Sequence, residues 1–220
     1  NEIMGNNPAV IETERGHNPP LGLLMIAAYL REYSDHKVDV IDAQVEELDY
    51  TSLHDKLSGY RFDVVGLTTM TFTLLDVIET IKQVKVVNPS AKVALGGPHV
   101  NIFPEETINL NHVDYVVLGE GEIPFKQLLD ALDQDSPAES VSSVLAKECR
   151  SNSRGKGGQG FIEDLDSLPF AARDLTPYEI YSSLLAKRTP ITTMITSRAC
   201  LRLCRLCAGL RGVVLVWDPE

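Results

Sequence analysis

The sequence predicts an α/β fold built on a doubly wound, mostly parallel sheet. Short β-branched runs alternate with amphipathic helical stretches over residues 19–132. That alternation is the mark of βαβ units, whose crossovers are right-handed. The strand-like runs are apolar at consecutive positions, as strands covered by helices on both faces must be. The 220 residues, 44% of them apolar, suffice for one large domain and an appendage.

Each element has its own signal. In "PPLGLLMIAAYLREY" (19–33), Pro20 suits a first helical turn, and Leu21, Leu24, Met25 and Ala28 recur at helical spacing. A first strand is expected before it, missing or shortened, because "PPLGL" reads as the loop and helix that follow a strand. "KVDVIDA" (37–43) is a β-branched run, hence a strand. Residues 50–59 form a short helix with Leu53 and Leu57 on one face. "FDVVGLTT" (62–69) is the next strand. A helix over 74–89 aligns Leu74, Val77, Ile78, Ile81 and Val84 and stops at Asn88-Pro89. "AKVALGG" (91–97) and "VDYVVLGEG" (113–121) are strands, with a short helix at 104–110 between them. "IPFKQLLDAL" (123–132) is a helix with Phe125, Leu128, Leu129 and Leu132 inward.

The texture changes at about residue 133. "DQDSPAES" is a polar break, "SVSSVLAKE" (140–148) reads as a strand, and "RSNSRGKGGQG" (150–160) as a Gly/Ser-rich turn. "FIEDLDSLPFAARDL" follows, with Pro169 and Pro177 in an extended stretch. This part is a hairpin and linker rather than another βαβ unit.

Composition excludes some functions. A net charge of −11 argues against a nucleic-acid partner, which needs a basic face. No apolar run approaches the ~18 residues of a membrane span. "NEIMGNNPAV" has neither the basic nor the apolar region of a secretory signal, and it lacks an initiator Met, as a chain that begins inside a longer protein would. Three of the four cysteines fall within eight residues, which suits metal binding in a reducing compartment better than a disulfide framework. The cytoplasm is the default location.

In a doubly wound sheet, ligands bind outside the carboxyl ends of the strands. That rule selects Asp42-Ala43-Gln44, Thr68-Thr69-Met70-Thr71, Gly96-Gly97-Pro98-His99 and Gly119-Glu120-Gly121-Glu122 as cofactor-binding loops. Glycines at a strand end admit positive φ and close approach of a ligand to the backbone. Each loop alone also reads as a plain βα turn; their convergence on one edge favours a site. "GEGEIPF" is not a dinucleotide loop, because Pro124 breaks the G-x-G-x-x-G pattern. "RGKGGQG" lacks the leading Gly of a phosphate loop.

"TSRACLRLCRLC" (196–207) sets Cys200, Cys204 and Cys207 at C-x3-C-x2-C spacing. Thiolates are soft donors that suit an iron–sulfur cluster or zinc. A structural zinc takes four ligands, and nothing in the sequence brings Cys149 near the other three. Three thiolates on a [4Fe–4S] cluster leave one iron open. Ordinary, unliganded cysteines are the remaining reading.

Laid out in order, "PPLGLLMIAAYLRE", "VDVIDA", "FDVVGLTTMT", "VALGGPHVNIFPEE", "DYVVLGEGEIPFKQLL", "IEDLDSLPFAARDL" and "MITSRACLRLCRLC" resemble the front part of a cobalamin-dependent radical S-adenosylmethionine (SAM) protein. The resemblance covers residues 18–207. It implies a Rossmann-like (flavodoxin-like) B12-binding domain over 1–132, a hairpin and linker over 133–190, and an incomplete start of a radical SAM barrel over 191–220. It implies cobalamin as cofactor, with a [4Fe–4S] cluster on the three cysteines and SAM on its open iron in the intact parent. Such parents are methyltransferases or cyclases; this chain by itself, without the barrel, is expected to bind cobalamin and carry out no radical chemistry. Asp42 to Gln44 match the loop where some B12 proteins carry D-x-H-x-x-G. Here Gln44 replaces the cobalt-ligating His, and Glu47 the closing Gly. The resemblance assigns Thr68 to Thr71 and the Gly96-Gly97 pair to the nucleotide tail, and Gly119 to Glu122 to the corrin edge. The partner is a small-molecule cofactor, plus a barrel domain in the parent.

Overall fold

The computed structural model describes residues 16–147, 161–183, 186–198 and 215–216. Its centre is a sheet of β2 (Val64–Thr68), β3 (Lys92–Gly96), β4 (Tyr115–Val117) and β5 (Val144–Ala146), in that order. β2, β3 and β4 run parallel, and β5 closes the far edge antiparallel to β4. The helices are α1 (Leu21–Tyr33), α2 (Tyr50–Ser58), α3 (Leu74–Val87), α4 (Pro98–Ile102), α5 (Pro104–Ile108) and α6 (Glu122–Asp133). The described residues also form two small antiparallel pairs, β1 (Gly16–His17) with β6 (Ser182–Ser183) and β7 (Ser197–Arg198) with β8 (Leu215–Val216), and four single-turn 3-10 helices.

β3 shows why the sheet is doubly wound. Side chains alternate faces along a strand. Val93 and Leu95 join Leu53 and Leu57 of α2 and Val77, Ile81 and Val84 of α3 on one face. Ala94 joins Leu128 and Ala131 of α6 on the other. All three β3 residues are buried, so the strand reads as a continuous apolar run. α1 lies along α6, and α2 starts at Asp49, whose carboxylate accepts a hydrogen bond from the Ser52 N–H at 2.7 Å.

Two expectations need correction. Residues 37–43 are not a strand. Val38 and Val40 pack against Ala27 and Ala28 of α1, but the run joins no ladder. A strand needs a neighbour ~4.8 Å away; here a cavity of about 2890 Å³, lined by residues 37–44 and by β2, lies on that side. A β-branched run favours extension; it does not supply a partner. The second correction concerns Pro98 and His99, expected in a loop. Here Pro98 opens the short helix α4, and Phe103 passes the chain to α5.

Residues 162–172 are anchored on α1 and α6. Ile162, Leu165 and Leu168 are buried against Met25 and Tyr29 of α1 and Ile123 of α6. Ala172 packs on Ala27 and Ala28, and its N–H donates to the Leu24 carbonyl at 3.1 Å. The expected Gly/Ser-rich turn at 150–160 and the three cysteines lie outside the described residues.

Candidate functional site

The four predicted loops gather at one edge of the sheet and border one cavity. Its lining includes Asp42, Ala43 and Gln44; Thr68 and Met70; Gly96, Gly97 and Pro98; and Gly119, Glu120, Gly121 and Glu122. Thr69, Thr71 and His99 are not on that wall. Thr69 is fully buried, and its Oγ1 has no partner among the described residues. His99 is also buried, with Nδ1 3.1 Å from Thr71 Oγ1 and its ring 5.3 Å from that of Phe103.

The loops are stitched together by backbone. The Thr69 N–H donates to the Gly96 carbonyl at 2.8 Å, and the His99 N–H to the Thr69 carbonyl at 3.0 Å. Gly97 permits this approach. Its φ is +100°, and a Cβ there would lie 2.9 Å from the Thr69 carbonyl oxygen and 3.0 Å from Thr68 Oγ1. Asn101, which sequence reasoning missed, ties the third loop to the fourth. Its side-chain amide donates to the Gly97 carbonyl at 3.2 Å, and its Oδ1 accepts from the Gly119 N–H at 2.8 Å. The only sequence signal is a polar residue inside the apolar run "HVNIF".

The first loop is a closed turn. Asp42 accepts from the Glu46 N–H through its carbonyl at 3.0 Å, and from the Val45 N–H through Oδ1 at 3.3 Å. Its other carboxylate oxygen accepts from the Tyr181 hydroxyl at 2.9 Å. Glu47, which stands where the related loop closes with Gly, keeps the backbone such a Gly would serve, at φ +52°. Gln44 offers no imidazole to the cavity. Among the described residues no group of three or more His, Cys, Asp or Glu is placed to hold a metal ion.

The fourth loop holds the strongest charges. Arg198 Nη2 donates to Glu122 Oε1 at 2.5 Å, and Nη1 lies 3.5 Å from Glu120 Oε1. Glu120 Oε2 accepts from the Ile162 N–H at 2.8 Å. The three side chains are only 18%, 15% and 5% exposed, in the order Arg198, Glu120, Glu122. Burial works against the Arg198 charge, yet the hydrogen bond to Glu122 and the charges of Glu122 and Glu120 hold its pKa above the ordinary value. Removing one member of this partly shielded group should cost more than breaking a surface pair and less than the ~3–5 kcal/mol of a fully buried one. The exposed pair of Arg31 and Asp174, also a tie to the linker, is worth ~0–1 kcal/mol.

The arrangement suits a large, partly apolar ligand. The cavity is lined by backbone at glycine-rich turns and by apolar side chains such as Met70 and Phe72. The glycine backbone of the third and fourth loops, with Thr68 beside it on the cavity wall, fits a cofactor held by loop backbone and short polar groups. No described helix is long and apolar enough to cross a membrane.

Comparisons with known proteins bear on the family and the fold. A family model described as the B12 binding domain matches residues 8–129. An uncharacterized methyltransferase of Pyrococcus horikoshii is 33% identical over 87% of this chain and 40% of its own length. The anaerobic magnesium-protoporphyrin IX monomethyl ester cyclase of Rubrivivax gelatinosus is 30% identical over 54% of this chain and 22% of its own. The chain thus spans less than half the length of these relatives. Among solved structures, the cobalamin-dependent S-adenosylmethionine radical enzyme OxsB with aqua-cobalamin bound has a TM-score of 0.62 at 18% identity, over 76% of this chain and 23% of that one. The radical S-adenosylmethionine methyltransferase TsrM from Kitasatospora setae, with cobalamin and a [4Fe-4S] cluster bound, gives 0.54 at 18% identity, over 59% and 24%. At those identities the likeness shows the fold. The family is shown by the match over more than half of the chain: it belongs to the B12-binding domain family.

Proposed function

We propose that this chain binds cobalamin and is the front part of a B12-dependent radical SAM enzyme of methyltransferase or cyclase type. The observation that carries the reading is the convergence of four loops, three of them at strand ends, on one cavity inside a B12-binding domain. Residues 1–132 would form the binding domain, 133–190 the hairpin and linker, and 191–220 the start of a barrel. Cobalamin, when bound, supplies methyl-transfer chemistry. The chain's own part is to bind and orient it. The Gly96-Gly97-Pro98 and Thr68–Thr71 turns would take the nucleotide tail, and Gly119 to Glu122 the corrin edge. Asp42 to Gln44 would border it without an imidazole. Cys200, Cys204 and Cys207 are the proposed ligands of a [4Fe–4S] cluster that binds SAM. The net charge of −11 supports a small-molecule partner rather than nucleic acid, and a cytoplasmic setting is part of the proposal.

Absorbance titration with cobalamin tests the reading. Saturable binding at tens of micromolar or tighter is expected. A spectrum that stays the sum of its components would end it. Iron and sulfide analysis after anaerobic reconstitution tests the cluster; one zinc per chain and no charge-transfer band would favour a zinc-binding cysteine segment instead.

A further inference from the structure

We propose that Arg198 is a positioning residue that fastens the neck of the cysteine segment to the cofactor edge of the sheet. The carboxylates of the fourth loop then serve as a latch, and the loop's contact with the corrin edge falls to its backbone. The inference begins with what the guanidinium touches. It meets Glu122 at 2.5 Å and Glu120 at 3.5 Å. Glu120 uses its second oxygen on the Ile162 N–H at 2.8 Å. One carboxylate therefore joins Ile162, within the 133–190 segment, to Arg198, just beyond its end.

Arg198 also sits at a topological neck. β7 and β8 pair Ser197 with Val216 and Arg198 with Leu215. The chain between them, 199–214, contains Cys200, Cys204 and Cys207. Fixing Arg198 thus fixes the base of the whole cysteine-bearing segment against loop 119–122. The electrostatics make the contact selective. Glu120 and Glu122 are like charges in one shielded pocket, and a single planar guanidinium can bond both. Lys in its place is a point charge that can serve one well. The third loop shares the constraint, because Asn101 bonds both Gly97 and Gly119. Only the last step, that this spacing serves cobalamin, rests on the proposed function.

The test uses the full chain, kept anaerobic, as wild type, Arg198→Ala, Arg198→Lys and Glu122→Gln. Amide hydrogen exchange is read at Ile162 and Ser197, with the β3 amides as reference, alongside cobalamin titration. Arg198→Ala should speed exchange at Ile162 and Ser197 about tenfold or more while β3 stays protected. Arg198→Lys should fall between, and cobalamin affinity should drop several-fold in step with exchange. Unchanged exchange at both amides in Arg198→Ala would overturn the latch. So would equal loss at β3 in both Arg198 variants, which would mean general destabilisation. A Glu122→Gln variant that loses cobalamin affinity with no change in exchange would make Glu122 a cofactor ligand and overturn it too. If wild type binds no cobalamin while the exchange pattern holds, the latch stands and the cobalamin reading fails.

Discussion

The hydroxyl of Tyr181 donates to Asp42 Oδ2 at 2.9 Å, across 139 residues of sequence, and Tyr181 is fully buried. This bond fastens the chain at Tyr181 to the turn that Asp42 opens. Tyr181→Phe removes it and leaves a half-buried carboxylate oxygen unpaired. The expected loss is about 1–2 kcal/mol in denaturant unfolding, with the slope unchanged. Cobalamin affinity should fall with it, because the Asp42 turn loses its outer support.

The same tyrosine governs behaviour at high pH. Burial, and then the neighbouring Asp42, push its pKa well above the usual phenol value. A hydrogen bond to Asp76 pushes Tyr50 up to about 12. In both cases the folded state holds the proton more tightly than the unfolded chain, which titrates near ~10. Stability is therefore whole below that pH and declines as pH rises above it. Ultraviolet titration should show Tyr181 ionising only as the chain unfolds, and Tyr181→Phe should make alkaline unfolding less steep. Ionisation of every tyrosine near the ordinary phenol value in the folded chain would contradict this.

The two glycines of the third loop should differ sharply. Gly97 lies at φ +100° against Thr68 and Thr69, whereas a Cβ on Gly96 would meet only the Val117 carbonyl, at 3.9 Å. Gly97→Ala should cost about 1–3 kcal/mol and weaken cobalamin binding. Gly96→Ala should stay within ~1 kcal/mol. In the first loop the sign reverses. Glu47 carries φ +52°, so Glu47→Gly relieves strain and should stabilise by about 0.5–1 kcal/mol, net of glycine's entropy. Thermal melts of the three variants decide.

Asn101→Ala leaves the Gly119 N–H and the Gly97 carbonyl without their partner. A loss of about 1–3 kcal/mol is expected. Asn101→Asp keeps an acceptor for Gly119 but sets a carboxylate against the Gly97 carbonyl, so it should recover only part. If Asn101→Ala melts like wild type, the bridge between the two loops carries no energy.

The sequence by itself determined the longer helices, the three parallel strands of the sheet and the loops that follow those strands at its carboxyl edge. These follow from local rules: helical spacing in Val77, Ile81 and Val84, β-branched runs such as Lys92 to Gly96, and glycine where a turn needs it. It also carried the family, through the order of its segments. Only the tertiary structure decided which of the predicted loop side chains are committed to protein partners. Asp42 is bonded by Tyr181, His99 lies beside Thr71, and Glu120 and Glu122 meet Arg198. It also decided that residues 37–43, strand-like in composition, make no ladder. Burial and hydrogen bonding across more than 70 residues, as between Glu122 and Arg198, depend on where the folded chain returns. No local pattern records that.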